Sequence, residues 1–325
     1  MSGNSSTQRS ALTIAGMLEA GCWLLCAATV AGFLARLYWV FELTTHFRPH
    51  LALALAVLAG VWMLYRRIHL ATACGVCALL NLPMIAPQLL QRNEPVAAGG
   101  ARIRLAVLNV HAANERSDLV SAFLKSAEAE VVLLLEVNAR WARALEPLRQ
   151  VYPHWVVETR EDDFGMALLS RLPLSEATVI ELGGAAVPSI AATIRVGDRD
   201  VFLLGTHPLP PGNPEYARLR NEQFHELAAW VRRQTGPVVV MGDLNTTPWS
   251  PYFADLLKEG GLKCSAPAGG LCGSWPAGLP LGRILLDHCL VSPPVQVLEQ
   301  RFGPRIGSDH LPLVIVLQIP ASPAR

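Results

Sequence analysis

Polar residues mark the ends of six apolar runs in the last two-thirds of this 325-residue chain. Each run has the composition of a buried β-strand, and carboxylate, amide or imidazole side chains follow it or, for the last run, precede it. A single aspartate in such a place usually caps a turn. Side chains at the ends of several packed strands, however, are held rigidly and can form one pre-organised cleft. We therefore select Asn109, Glu136, His207, Asp243, Asn245, Asp287, Asp309 and His310 as candidate site residues.

These residue types suit a hard cation and a phosphate group. Carboxylate and amide oxygens favour Mg²⁺ or Mn²⁺, and the paired Cys and His ligands of a zinc site do not accompany them. Phosphate-ester hydrolysis needs charge neutralisation, an aligned water molecule and a stabilised leaving oxygen. A histidine held by an aspartate stays protonated near neutral pH and can support the developing charge. The set therefore predicts a divalent-metal-dependent phosphoesterase.

The elements that must position these side chains are short strands alternating with helices. Apolar runs predict strands at 103–110, 130–136, 154–158, 165–170, 190–196, 200–206, 237–242, 284–291, 296–302 and 312–318. Helical periodicity predicts helices at 115–127, 139–149, 215–234 and 251–259. Many strands with few helices predict an α/β fold of two packed, mainly antiparallel sheets flanked by helices.

Three motifs in this order resemble the endonuclease/exonuclease/phosphatase superfamily. Gly242-Asp243-Leu244-Asn245 is similar to its GDxN element, the segment 307–310 (GSDH) to its C-terminal SDH motif, and the segment 165–171 (GMALLSR) to its GxAxLSR strand. The resemblance covers residues 102–319. It implies a DNase-I-like four-layer α/β sandwich that hydrolyses phosphate esters.

The same resemblance implies a metal site. Glu136 matches the metal-ligand glutamate of the family, and Asn109 matches the asparagine beside it. Asp309 matches the aspartate near the metal and the nucleophile. The implied cofactor is Mg²⁺ or Mn²⁺.

The remaining matches imply catalytic roles. Asp243 matches the residue that orients or deprotonates the attacking water, and Asn245 matches an amide that contacts the phosphate or the metal. His310 matches the imidazole that faces the phosphate, and Asp287 matches the carboxylate that holds that imidazole. His207 matches a histidine that contacts the phosphate.

The first hundred residues differ in composition from the rest. They contain no Lys, six Arg and three Glu, and apolar runs cover about 12–41, 51–65 and 70–90. So many apolar residues leave too little polar surface for a soluble helical hairpin, and they predict three transmembrane helices, the last broken near Pro83 and Pro87. The predicted organisation is a disordered polar tail (1–10), transmembrane helices (11–90), a linker (91–101), the phosphoesterase domain (102–319) and a tail (320–325).

The basic residues that flank the apolar runs bear on orientation. They divide evenly between the two sides, but the compact turn at Arg66 and Arg67 favours the cytoplasm for that turn. With three spans, the catalytic domain then lies outside the cytoplasm. The membrane runs, together with segments 247–251 (TPWSP) and 275–280 (WPAGLP), resemble the bacterial VanJ-type membrane members of the family. That resemblance implies a multi-pass protein of the bacterial cytoplasmic (inner) membrane.

Membrane anchoring predicts a lipid-linked phosphate ester or pyrophosphate as substrate, because tethering confines the enzyme to the membrane plane. One alternative is a tethered nuclease that degrades extracytoplasmic DNA or RNA. The 21 basic and 23 acidic residues after position 100 disfavour it, because a charge of −2 lacks the basic footprint of a nucleic-acid binder. A second alternative, a non-catalytic membrane scaffold, is disfavoured by the complete acidic and histidine set.

Cysteines have both functional and structural interpretations. Cys264 and Cys272 could close a short loop through a disulfide if the domain faces an oxidising compartment. The CxxC pair Cys74 and Cys77 lies in apolar surroundings, which favours small buried side chains over a metal or redox site. Cys289 is predicted to be a core residue.

Several other polar and aromatic residues have competing interpretations. Arg283 binds a substrate phosphate or forms a surface salt bridge, and Trp249 and Trp275 contact lipid or pack in loops. Four other histidines after position 100 are predicted to be structural, incidental or on the surface: His111, His154, His225 and His288.

Overall fold

Apolar helices form the N-terminal part of the chain. The computed structural model describes residues 14–90, 99–265 and 273–322. The first four helices are α1 (Ile14–Phe33), α2 (Trp39–Thr45), α3 (Arg48–Leu64) and α4 (Ile68–Leu89). Within the described residues, α1 and α4 are each long and apolar enough to cross a membrane. The pair α2 and α3, bent by 68° at its junction, would make a third span if counted as one.

Two details of this region differ from the sequence-based predictions. The first apolar run does not continue as one helix to residue 41, because the chain turns at residues 34–37 and restarts as the short α2. The predicted break at Pro83 and Pro87 is wrong, since α4 runs through both prolines to Leu89. Helices packed in apolar surroundings tolerate proline when neighbouring groups satisfy the freed backbone atoms.

The cysteines of the N-terminal region lie between α1 and α4. Cys22, Cys26, Cys74 and Cys77 are all buried in one apolar cluster, and the Sγ atoms of Cys22 and Cys74 are 2.8 Å apart. These positions suit small core side chains. The predicted pairing of Cys264 with Cys272 lies outside the described residues, because Cys272 is not among them.

Twelve strands and four further α-helices lie in the rest of the described residues. The strands are β1 (Ala101–Asn109), β2 (Val131–Leu135), β3 (His154–Glu158), β4 (Met166–Ser170), β5 (Leu174–Glu181), β6 (Pro188–Val196), β7 (Arg199–Thr206), β8 (Val238–Asp243), β9 (Lys263–Cys264), β10 (Asp287–Val291), β11 (Gln296–Phe302) and β12 (Leu313–Ile319). The helices are α5 (Ser117–Ala127), α6 (Ala139–Leu145), α7 (Pro214–Arg232) and α8 (Pro251–Gly260).

The strands form two six-stranded sheets that pack face to face. Their orders are β11-β12-β1-β2-β4-β3 and β5-β6-β7-β8-β10-β9. β1 pairs with β2 in parallel, and β7 pairs with β8 in parallel, while the other pairs among the described strands are antiparallel. Side chains alternate along each strand, so Leu105 and Leu133 fill the layer between the sheets whereas Ala106 and Leu134 face the helices.

Helices cover the outer faces of both sheets. In α5, Val120, Phe123 and Leu124 are buried at helical spacing against the first sheet. Phe224 of α7 and Phe253 of α8 pack in the same way on the second sheet. The predicted architecture of two mainly antiparallel sheets flanked by helices is therefore confirmed.

The strand predictions fail at three places, one of which is the two-residue strand β9, which was not predicted. β5 was not predicted, because this edge strand is largely exposed and lacks a clear apolar alternation. The predicted strand 284–291 begins three residues too early. β10 starts at Asp287, and Ile284 instead forms an isolated bridge with Trp275.

Candidate active site

The polar strand ends meet at one edge of the two sheets. Parallel pairing sets Asn109 beside Leu135, the residue that precedes Glu136. Antiparallel pairing sets Asp243 directly opposite Asp287. The fold and register thus gather six of the eight predicted residues around one cleft: Asn109, Glu136, His207, Asp243, Asp287 and His310.

Asp243 lies at the centre of this cluster and is 2% exposed. Its Oδ2 atom is 3.4 Å from Asn109 Nδ2, 3.5 Å from His310 Nε2 and 3.7 Å from His207 Nε2. Its Oδ1 atom accepts a hydrogen bond from the backbone N–H of Asn245 at 2.9 Å. Burial disfavours the charged form, but the two imidazoles and the two amide donors hold the pKa of the Asp243 carboxyl below its usual range. Asp243 is therefore ionised at neutral pH.

His310 is the cationic partner in the cleft. Its Nδ1 atom lies 2.8 Å from Asp287 Oδ2, and its backbone N–H donates to Ser308 Oγ at 3.0 Å. Burial opposes the imidazolium, yet the charges of Asp287 and Asp243 raise the pKa of His310 to about 10. His310 is thus protonated at neutral pH. Its Nε2–H is still available to a ligand, because 3.5 Å from Asp243 is longer than a typical direct hydrogen bond.

Glu136 and Asn109 form a second acidic group at the cleft. Glu136 Oε1 accepts from Asn109 Nδ2 at 2.7 Å, and Oε2 accepts from the backbone N–H of Ala112 at 3.0 Å. Glu136 has a left-handed backbone with φ of 62°, which is uncommon for a residue other than glycine. Asn109 Oδ1 accepts from the backbone N–H of His111, so the Asn109 amide donates towards both Glu136 and Asp243.

A glycine allows β7 and β8 to approach each other closely. A Cβ atom on Gly242 would lie 1.8 Å from the carbonyl oxygen of Thr206, far inside van der Waals contact. That approach brings His207, which follows β7, beside Asp243, which ends β8. Asn245, with φ of 49°, then turns its Nδ2 atom to donate to Pro208 O at 2.9 Å.

Asp309 lies at the exposed rim of the site. Its Oδ1 atom is 3.0 Å from His111 Nδ1, and its Oδ2 atom accepts from Trp275 Nε1 at 3.0 Å. Sequence reasoning interpreted His111 as incidental, whereas the structure places it against a candidate site residue. No local signal could have found this contact, because its two residues are 198 positions apart in the sequence.

The donor types at this cleft fit a hard divalent cation. The Asn109 amide links the carboxylate of Glu136 to that of Asp243, which lies opposite Asp287, and Mg²⁺ and Mn²⁺ prefer carboxylate oxygens. Ligand atoms of Asp243, Asp287 and His310 lie within 4.8 Å of one another. Asp287 Oδ1 is also buried with no hydrogen-bond partner among the described residues. Since His310 already pairs with Asp287, the Glu136 side of the cleft suits a cation better.

Three other candidates have structural contacts. His288 is buried, and its Nε2 atom lies 2.8 Å from Thr246 O. Arg283 Nη2 donates to the backbone carbonyl of Ala277. Trp249 is 8% exposed and packs against the N-terminal helices, so loop packing describes it better than contact with lipid.

Comparisons with known proteins agree with this geometry. Residues 106–310 match the model of the Endonuclease/Exonuclease/phosphatase family. No curated protein matches the sequence. Truncated TDP2 of Caenorhabditis elegans is similar in structure, with 19% identity, a TM-score of 0.55, and coverage of 67% of this chain and 98% of that chain.

Two other solved structures share the fold. An endonuclease/exonuclease/phosphatase from Beutenbergia cavernae has 22% identity and a TM-score of 0.58, over 69% of this chain and 73% of its own. TDP2 of D. rerio complexed with a single-strand DNA product has 14% identity and a TM-score of 0.56, over 67% of this chain and 99% of its own. At these identities the likeness shows the fold alone.

Proposed function

The chain belongs to the endonuclease/exonuclease/phosphatase family, and we propose that it is a membrane-anchored, divalent-metal-dependent phosphoesterase. It hydrolyses a lipid-linked phosphate ester or pyrophosphate through an activated water molecule. The observation that carries the proposal is the 3.5 Å distance between the Asp243 carboxylate and the His310 imidazole in one buried cleft, which lowers the pKa of Asp243 and raises that of His310.

Each polar group then has a chemical task. Asp243 accepts a hydrogen bond from the attacking water and so aligns a lone pair of the water oxygen with phosphorus. As the new P–O bond forms, the Asp243 carboxylate receives the proton of the water. His310 donates from Nε2 to a phosphate oxygen, where negative charge develops. Asp287 holds the imidazolium in place, as its 2.8 Å contact with Nδ1 indicates. His207 borders the same space and supplies a further contact to the phosphate, and the backbone N–H of Asn245 orients the Asp243 carboxylate.

We assign the metal site to Glu136, Asn109 and Asp309. Mg²⁺ or Mn²⁺ at these ligands would neutralise phosphate charge and stabilise the leaving oxygen. Glu136 is half-buried at the cleft with both oxygens engaged by amide groups, which fixes its orientation. Asp309 is fixed similarly by His111 and Trp275.

The N-terminal helices support a membrane location. Their large apolar side chains point outward in numbers unusual for a soluble protein, and Leu24 and Leu64 are 71% and 85% exposed. Lipid chains would cover such surfaces. We place the protein in the bacterial cytoplasmic membrane with the catalytic domain outside, and a lipid-linked phosphate would reach the cleft by diffusing within that plane.

The test uses the full-length chain in detergent or nanodiscs with Mg²⁺ or Mn²⁺. Three substrates are offered: a chromogenic phosphodiester, a nucleic acid and a polyprenyl pyrophosphate. We expect metal-dependent turnover with preference for the lipid pyrophosphate, and loss of about 10³-fold or more in Asp243→Asn. The surface variant His225→Gln serves as control.

Each contrary result has a distinct meaning. No metal-dependent turnover of any substrate, or equal rates in Asp243→Asn and wild type, would refute the phosphoesterase proposal. Faster turnover of the nucleic acid than of the lipid would replace the lipid substrate with the tethered-nuclease alternative.

A further inference from the structure

The short helix α2 contacts the catalytic domain through a fully buried ion pair. Glu42 Oε2 lies 2.5 Å from Arg220 Nη2 of α7, and neither side chain has any exposed area. The two residues are 178 positions apart in sequence. Desolvation of two charges offsets much of their attraction, so a buried ion pair does not by itself show that the fold is stabilised. The alternative is that the pair fixes one relative placement of α2 and α7, which can be tested.

Further contacts from the same region converge on one loop. Glu42 Oε1 accepts from Ser250 Oγ at 2.7 Å, and His46 Nδ1 lies 3.1 Å from Thr247 Oγ1. Trp249 packs into an apolar cluster with residues of α3 and α4. The contacted segment, 247–250, starts two residues after Asn245 of the GDxN element.

Arg220 connects this contact to the candidate active site directly. Its Nη2 atom donates to Glu42, while its Nη1 atom lies 3.5 Å from the backbone carbonyl oxygen of Asn245. Asn245 holds a left-handed backbone conformation, which asparagine adopts more readily than most other residues, at the turn after β8. Its backbone N–H in turn donates to Asp243 Oδ1. A chain of contacts therefore runs from Glu42 through Arg220 and Asn245 to Asp243.

We propose that Glu42 is a positioning residue for the active site, so that the N-terminal helices complete the cleft as well as anchoring the protein. This inference rests on the proposed phosphoesterase function. Glu42 fixes the guanidinium of Arg220 beside the Asn245 carbonyl, where the long 3.5 Å contact of Nη1 supports the turn whose N–H donates to Asp243. Without Glu42, Arg220 is a buried cation with no carboxylate partner, and it leaves this position or draws water into it.

Two substitutions separate positioning from general stability. Glu42→Gln keeps the shape of the side chain but removes its charge. Arg220→Lys keeps a cation for Glu42 but offers a single nitrogen, which is unable to serve Glu42 and the Asn245 carbonyl together. Arg36→Gln is the matched control. It breaks an exposed ion pair between Arg36 Nη1 and Asp255 Oδ2, 2.7 Å apart, which also joins the N-terminal helices to the catalytic domain.

The full-length variants are assayed on the phosphodiester. We expect kcat to fall by about 10- to 100-fold in Glu42→Gln and Arg220→Lys with KM nearly unchanged, because small misplacement of reacting groups has effects of this size. Arg36→Gln should stay within about two-fold of wild type, as expected for an exposed pair. Hydrogen exchange of the amides at 243–250 should become faster in the first two variants only.

A merely structural ion pair would lower the unfolding temperature while leaving kcat of the folded protein and exchange at 243–250 unchanged. That result would overturn the proposal. An inactive wild type would refute the proposed function instead. In that case hydrogen exchange of the amides at 243–250 would still decide whether Glu42 orders this loop. Unchanged exchange in Glu42→Gln and Arg220→Lys would refute the ordering role as well.

Discussion

Asp287→Asn removes the charge that holds His310 without changing the size of the side chain. In the wild type, Asp287 Oδ2 lies 2.8 Å from His310 Nδ1, whereas Asp243 Oδ2 is 3.5 Å from Nε2. Burial lowers the pKa of His310, but these two carboxylates raise it from 6.5 to about 10. At about 1.4 kcal/mol per pKa unit, the net shift corresponds to roughly 5 kcal/mol. The closer Asp287 supplies the larger part.

Without the Asp287 charge, burial dominates and the pKa of His310 falls towards or below neutrality. At pH 8 the variant then holds a neutral imidazole in place of an imidazolium facing the phosphate. We expect kcat at pH 8 to fall by about 10²- to 10⁴-fold, the usual contribution of a positioned acid or base. The alkaline limb of the kcat–pH profile should move from near pH 10 to below about pH 8.

The assay is a pH–rate profile on the chromogenic phosphodiester, with NMR titration of ¹⁵N-labelled histidine as a direct readout. His225→Gln is the matched control, because His225 is exposed and pairs with Glu259 on the surface. An alkaline limb that stays in place in Asp287→Asn, or a His310 resonance that still titrates near pH 10, would refute the reasoning.

Three other changes probe the same cleft. Gly242→Ala should destabilise the fold by at least about 3 kcal/mol in urea unfolding, because its Cβ would lie 1.8 Å from Thr206 O; a smaller loss would show that β7 and β8 can separate. The raised pKa of His310 stabilises the folded state fully below about pH 6.5, and this contribution is lost as pH rises to about 10. The unfolding free energy of wild type should therefore fall across that window more steeply than that of His310→Gln, and parallel curves would contradict the shift. Chelation should abolish turnover, with recovery on adding Mg²⁺ or Mn²⁺; full activity in the chelator would exclude the metal.

Local patterns in the sequence predicted most of the strand ends correctly. An apolar run that stops at a polar residue can be recognised without knowledge of its partner strands. β2 and β8 are examples, because both are buried along their whole length and begin with a run of apolar residues. The edge strand β5 escaped prediction because its side chains face solvent, where packing does not constrain residue type.

Residues whose surroundings come from distant parts of the chain were interpreted less well. His111 gained its contact from Asp309, nearly two hundred positions later. Trp249 was considered for lipid contact, but the helices α3 and α4 bury it. Neither partner is visible in the local sequence, because both contacts depend on how separate elements pack.

The sequence by itself determined most of the strands and helices, the apolar N-terminal region and the types of group at the cleft, since periodicity and local composition encode these. Only the tertiary structure decided which carboxylates lie beside which imidazole, and therefore which groups are charged. The register of β8 with β10 sets Asp243 opposite Asp287, and His310 becomes cationic because both carboxylates surround it. Packing of α2 on α7 likewise paired Glu42 with Arg220, a contact that depends on burial and distance rather than on any local pattern.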